Sequence, residues 1–202
     1  MKEPKYMERG RMMNSYEAEL FKDKKLGFFI FLAVEAVMFA TLFANYFIFT
    51  PADRGPHPSE LFEVKTVVLT SFFLLSSSGT LLYAEKALEA KKSMGMLIGL
   101  SVTFLFALVF LGLEINEFYE YVSQGYGLSA SVFLGAFYVL VGLHAAHVTF
   151  GAVWMILLFI HYKSSMPKSL FFEKFKIFSY YWHFVDFIWV FIIIIVYLPY
   201  LI

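Results

Sequence analysis

Five apolar blocks, each about 19 residues or longer, govern what this chain can fold into, since each can cross a hydrocarbon layer of roughly 30 Å as a helix. A strand-built membrane protein needs alternating segments of about ten residues, and that pattern is absent. Lipid offers the backbone no hydrogen-bond partners, so every N–H and C=O must be satisfied within the chain, which leaves helices. The sequence therefore predicts an all-α membrane protein, a bundle of five transmembrane helices at about Leu26–Phe49, Thr66–Ala84, Met96–Ile115, Val132–Ile160 and Tyr180–Leu201. Residues 1–25 read as a polar segment and 26–202 as the transmembrane domain. Composition agrees: 60% of residues are hydrophobic and 16% charged, where soluble domains carry about a quarter charged residues. The fourth block exceeds one crossing, which predicts tilt or an extension beyond the membrane.

Orientation follows from the cations. The N-terminal segment holds Lys2, Lys5, Arg9, Arg11, Lys22, Lys24 and Lys25, the second loop Lys86, Lys91 and Lys92, and the fourth Lys163, Lys168, Lys174 and Lys176. Only Arg54 and Lys65 fall on the other side, so the N-terminus is predicted in the cytoplasm and the C-terminus outside. The first 25 residues are too charged for a cleaved signal peptide and read as a retained cytosolic segment. All six prolines lie outside the blocks or at their ends, which fits uninterrupted helices rather than the broken ones of transporters. With no cysteine there is no disulfide, thiolate ligand or covalently attached haem. A net charge of zero gives no long-range attraction for nucleic acid.

Ionisable residues within the spans are the functional candidates, because an isolated charge in lipid costs several kcal/mol. Glu35 lies about 14 Å inside the predicted cytoplasmic face, with no Lys or Arg in its span. His144 and His147 sit one helical turn apart on the fourth span, with His147 at a depth of about 20 Å, close enough to Glu35 to predict a hydrogen bond between them. Gly142, Ala145, Ala146 and Gly151 around the pair let another helix approach. Neither histidine has an acid three residues before it, as a di-metal bundle site requires, and His183 is too shallow to join a bis-histidine haem. The chain is accordingly expected to hold no metal and no cofactor of its own. On the fifth span His183 and Asp186 form a shallow pair suited to lipid headgroups, water or a partner subunit, while Trp182 and Trp189 read as interfacial anchors. Glu114, Asn116, Glu117 and Glu120 fall at the outer end of the third span and are expected to be solvated, Glu114 at most half-buried. Gly95 and Gly99, with the run Ser76, Ser77, Ser78, Gly79 and Thr80, suit close helix packing.

Three stretches, KLGFFIFLAVEAVMFATLFANYF, LGLEINEFYE continuing to GLHAAHVTFG, and YYWHFVDFIWVFIIIIVYL, carry a resemblance. Over Lys25 to Leu201 the chain resembles subunit III of haem-copper terminal oxidases, and the run from Trp182 to Trp189 is the most specific part. Glu35 matches the family's carbodiimide-reactive acid, His144 and His147 its paired histidines, and Trp182, His183 and Asp186 its Trp-His-Phe-x-Asp run. The chain has the shorter five-helix bacterial pattern, so what two further N-terminal helices contribute to a lipid-filled cleft does not carry over.

The resemblance implies a non-catalytic subunit in a bacterial cytoplasmic membrane, with haem and copper in subunits I and II and a small subunit IV as a further partner. It would support subunit I structurally, assist proton uptake, protect the active site from turnover-linked inactivation and bind phospholipid. The electron donor, cytochrome c or a quinol, stays open. Rival readings are a related accessory protein of a nitric oxide reductase, a proton-coupled transporter built on Glu35 and His147, and a membrane enzyme with its own haem or di-iron centre.

Overall fold

The computed structural model describes residues 5–50, 62–164 and 167–201, with side chains from residue 19 to residue 200 of these. Lys2, Arg54, Pro4, Pro51, Pro56 and Pro58 lie outside the described residues, as do the side chains of Lys5, Arg9 and Arg11. The helices are α1 (Lys5–Ile48), α2 (Val64–Glu89), α3 (Ser93–Ser123), α4 (Val132–Lys163) and α5 (Lys168–Ile192), followed by a π turn (Ile193–Tyr197) and α6 (Leu198–Leu201). Among the described residues, five helical stretches are long and apolar enough to cross a membrane. The chain divides into two compact units, residues 1–37 and 38–202. The first is the N-terminal part of α1, where the Phe28 and Phe31 rings lie tilted at 6.0 Å and Lys25 lies over the Phe29 ring.

In the second unit apolar side chains cover the outer as well as the inner faces of the helices, as expected where lipid rather than water is the outer solvent. Phe72, Leu82, Leu105, Phe150 and Phe187 face outward. Half of the apolar window of the α5 stretch is buried against a third or less in the others, so α5 is the central helix. Packing between α2 and α3 rests on missing side chains: a Cβ on Gly99 would lie 2.8 Å from the Ala84 Cβ and 2.9 Å from the Thr80 carbonyl. The backbones approach because there is nothing between them.

Helix ends follow local chemistry. α2 closes with Lys91 N–H donating to Leu88 and Lys92 N–H to Ala87, the paired bonds of a Schellman motif, and Lys91 takes the left-handed conformation at φ 57°. α3 closes the same way through Gly125 at φ 86°, with Gly125 N–H donating to Val122 and Tyr126 N–H to Tyr121. Ser131 caps α4 by accepting from Leu134 N–H at 3.1 Å.

All five predicted spans correspond to helices, but most of the helices run well beyond them. α3 continues to Ser123 instead of stopping at Ile115, and α5 begins at Lys168 instead of Tyr180. Hydropathy reports the lipid-crossing part; the extensions persist because Phe171, Phe175 and Phe178 on α5, and Tyr121 on α3, still bury one stripe. The expectation of uninterrupted helices also needs correction at the end of α5. Pro199 has no N–H and its ring crowds the carbonyl four residues back. Just upstream the helix widens to a π turn, with Leu198 N–H donating to Ile193, and Tyr46 OH donates to the Val196 carbonyl at 3.3 Å.

Candidate functional site: a polar ladder between two apolar helices

The Trp-His-Phe-x-Asp run faces α2, and the pairs climb in antiparallel order. Trp189 Nε1 donates to Ser71 Oγ at 3.3 Å, and Trp182 Nε1 to Ser77 Oγ at 2.9 Å. Each of those serines hands its own proton to a carbonyl of α2, Val67 for Ser71 and Leu74 for Ser77, both at 2.6 Å. A serine hydroxyl has one proton and spare lone pairs, so it can be tied to its helix and still accept an indole N–H. Between these rungs Ser78 Oγ donates to Asp186 and lies 3.1 Å from His183 Nδ1. With the Ser78 proton given to Asp186, Nδ1 of His183 is the donor in that contact, which leaves Nε2 of the neutral ring as an acceptor. Further along, Ser179 donates to Glu85, and Lys176 pairs with Glu89 at 2.7 Å.

The rungs on α2 recur with helical spacing at Ser71, Ser78 and Glu85, seven residues apart, so they form one stripe. Between hydrocarbon-coated helices apolar contact does not distinguish one neighbour from another, because lipid tails are as apolar as leucine. Hydrogen bonds across the pair therefore set partner and register. One oxygen of Asp186 and Nε2 of His183 are buried without a protein partner. They are the two positions on the ladder where water or a polar group could still bind.

Trp182 and Trp189 are corrected by this arrangement. Both rings are fully buried, and each indole N–H is spent on a serine rather than on the membrane surface. They are core residues with a polar tip.

His144 lies at the centre of the unit, fully buried. Trp189 stacks on its ring at 5.1 Å, and Phe110 and Phe39 meet it edge-on at 6.0 and 6.4 Å. Neither ring nitrogen has a protein partner. His147 is half-buried, with Nδ1 2.8 Å from its own helix at the Leu143 carbonyl and Phe39 5.1 Å away. Tyr181 OH donates to the His147 carbonyl at 2.9 Å. Glu35 stands on α1 in the first unit, whereas the histidines and the ladder belong to the second. Among the described residues no three acids or histidines come together as metal ligands would.

Glu114 and Glu117 overturn the expectation of solvated outer acids. Because α3 runs on to Ser123, Glu114, Glu117 and Tyr121 fall on its inward stripe, with Glu114 1% and Glu117 5% exposed. Tyr121 OH donates to Glu117, while neither oxygen of Glu114 has a partner. The serines Ser71 and Ser78, Glu85, Ser179 and the Glu117–Tyr121 pair are the polar contacts that reading residue types alone overlooked. The signal available for the first group was the seven-residue spacing of Ser71, Ser78 and Glu85.

Comparison with known proteins adds family and relatives. A family model described as Cytochrome c oxidase subunit III matches residues 6–200. The chain is 42% identical over 178 residues to cytochrome c oxidase subunit 3 of Bacillus sp. (strain PS3), covering 88% of this chain and 86% of that protein. It is 41% identical over 186 residues to quinol oxidase subunit 3 of Bacillus subtilis (strain 168), covering 91% and 90%. Cytochrome bo(3) ubiquinol oxidase subunit 3 of Pseudomonas putida is 34% identical over 174 residues, covering 86% and 84%.

Proposed function

Since the chain belongs to the cytochrome c oxidase subunit III family, we propose that it is the non-catalytic third subunit of a proton-pumping haem-copper oxidase in a bacterial cytoplasmic membrane. The observation that carries this is the family match across residues 6–200, nearly the whole chain. The subunit braces the catalytic subunit I and assists its proton uptake, and the redox chemistry stays in subunits I and II, whose haem and copper complete the complex. A small subunit IV and phospholipid complete the surroundings. The charge asymmetry supports a cytoplasmic N-terminus and an outer C-terminus.

In this reading Glu35 is the proton-linked acid of α1, and His144 and His147 are the proton-linked groups of α4. The ladder of Trp182, His183 and Asp186 with α2 holds the central helix in register, so that the bundle offers its neighbour, or a lipid headgroup, one fixed surface.

Two measurements test it. A tagged chain extracted from native membranes in mild detergent is expected to bring down haem- and copper-containing partners that consume oxygen; recovery of the chain alone would remove the proposal. Glu35→Gln is expected to leave assembly intact, because a neutral side chain costs less in lipid than a carboxylate, while proton uptake by the complex slows. Disappearance of the whole complex in that variant would make Glu35 structural instead.

A further inference from the structure

At the end of the bundle opposite the Lys176–Glu89 pair, two helical segments turn buried polar atoms inward. α3 contributes Glu114, Glu117 and Tyr121, and the π turn contributes Tyr197. Both oxygens of Glu114 and the hydroxyl of Tyr197 are buried with no protein partner, each residue 1% exposed. The two come from different helices, so the phenol is evidence independent of the acids. Electrostatically, Tyr197 faces Glu117, Glu114, Tyr121 and Tyr46. Glu114 faces Glu117, and Glu117 faces Glu120 and Glu63, the latter just before α2. Tyr138 of α4 faces Glu117. These neighbours are all acids or phenols.

Buried polar atoms in folded proteins are almost always hydrogen-bonded, either to protein or to ordered water. Two adjacent carboxyl groups set in the interior, with no cation facing them among the described residues, cannot both remain charged at tolerable cost. A proton held between them resolves both conditions, since a protonated carboxyl becomes a donor and can bridge to its neighbour or to a phenol. Access exists on the outer side of Glu117: it lines a recess of about 100 Å3 together with Glu63, Thr66, Asn116, Glu120, Tyr121 and Gln124. Every side chain of that recess is polar.

We propose that Glu114 and Glu117, with the hydroxyls of Tyr121 and Tyr197, form a proton-binding site that exchanges with solvent through this recess. A hydronium ion at the recess gives its proton to a carboxylate oxygen and leaves as water; release reverses the step, and only O–H bonds change. Glu120 and Glu63 stand at the mouth as carboxylates that gather protons from solution. Glu117 relays between mouth and interior, and Glu114 is the inner acceptor. Glu35 belongs to the other unit, and the proposal does not depend on the identity of the catalytic partner.

The test is infrared difference spectroscopy of the purified complex as pH is stepped, followed in the carbonyl stretch of protonated carboxylic acids and repeated in D2O. The expected result is a titrating carboxylic band that shifts on deuteration, is lost in Glu114→Gln and persists in Glu35→Gln. Glu117→Gln is expected to move the band, because it removes the partner that shares the proton. If Glu114→Gln does not accumulate, Tyr197→Phe decides, since it deletes one hydroxyl and keeps the ring: a displaced band supports the site, and an unmoved band overturns it. A titrating band unchanged in Glu114→Gln, or one that fails to shift in D2O, likewise overturns it.

Discussion

At Gly151 a single methyl group decides whether α4 can lie against α5. A Cβ there would come 2.5 Å from Cζ3 and 2.7 Å from Cε3 of Trp182, a fully buried ring whose N–H is already committed to Ser77. The indole cannot retreat without breaking that bond. Gly151→Ala is therefore expected to destabilise the bundle by about 1–3 kcal/mol, the range typical of overpacking. Gly112→Ala, at a helix-interior position with nothing within 4 Å, should keep stability or raise it by up to about 1 kcal/mol. Thermal unfolding of both variants in the same detergent makes the comparison. Equal melting temperatures would mean that the Trp182 ring has room to move.

Among the helices, the α2–α5 ladder makes a prediction about coupling. Ser78→Ala strips Asp186 of its donor and leaves a buried carboxyl with no protein partner, which costs about 1–3 kcal/mol. Asp186→Asn in the same chain should recover part of that loss, because an amide is a cheaper orphan than a carboxylate. Ser71→Ala, at a different rung, should combine with Asp186→Asn additively to within about 0.5 kcal/mol. A double-mutant cycle read by unfolding in detergent separates the two cases; additivity at Ser78 with Asp186 would dissolve the rung. This is also where sequence reading reached its limit. Block length and charge placement were enough to locate five helices, because hydrophobic thickness is a one-dimensional constraint. The facing of Ser78 toward Asp186 is a three-dimensional one, set by how two helices roll against each other. The serine run looked like packing because small size and hydrogen-bonding capacity coexist in the same side chain. Glu114 was misjudged for a related reason: past Ile115 the stretch Asn116, Glu117, Phe118, Tyr119, Glu120 is polar on average, yet its buried stripe of Glu117 and Tyr121 continues the one on which Glu114 lies.

For the whole molecule, the expectation is that the bundle's integrity and its partner's chemistry are separable. His183→Ala combined with Asp186→Ala should loosen the subunit, so that it washes from the complex more readily in detergent, while the visible haem spectrum of the remainder stays the same. A changed haem spectrum would place these residues closer to the redox centre than a third subunit should be. The ladder has one more consequence, and it concerns time rather than energy. Its side-chain bonds join residues 87 to 118 positions apart. At about 5–20 residues per second of synthesis, α2 waits on the order of ten seconds in the membrane before α5 exists. For that interval Ser78 and Glu85 have no rungs to close, and a chain halted before α5 carries those unmet groups permanently. α5 is the helix that releases α2 from waiting, so a ribosome that stalls before it leaves the second helix without the partner that its polar stripe is built to meet.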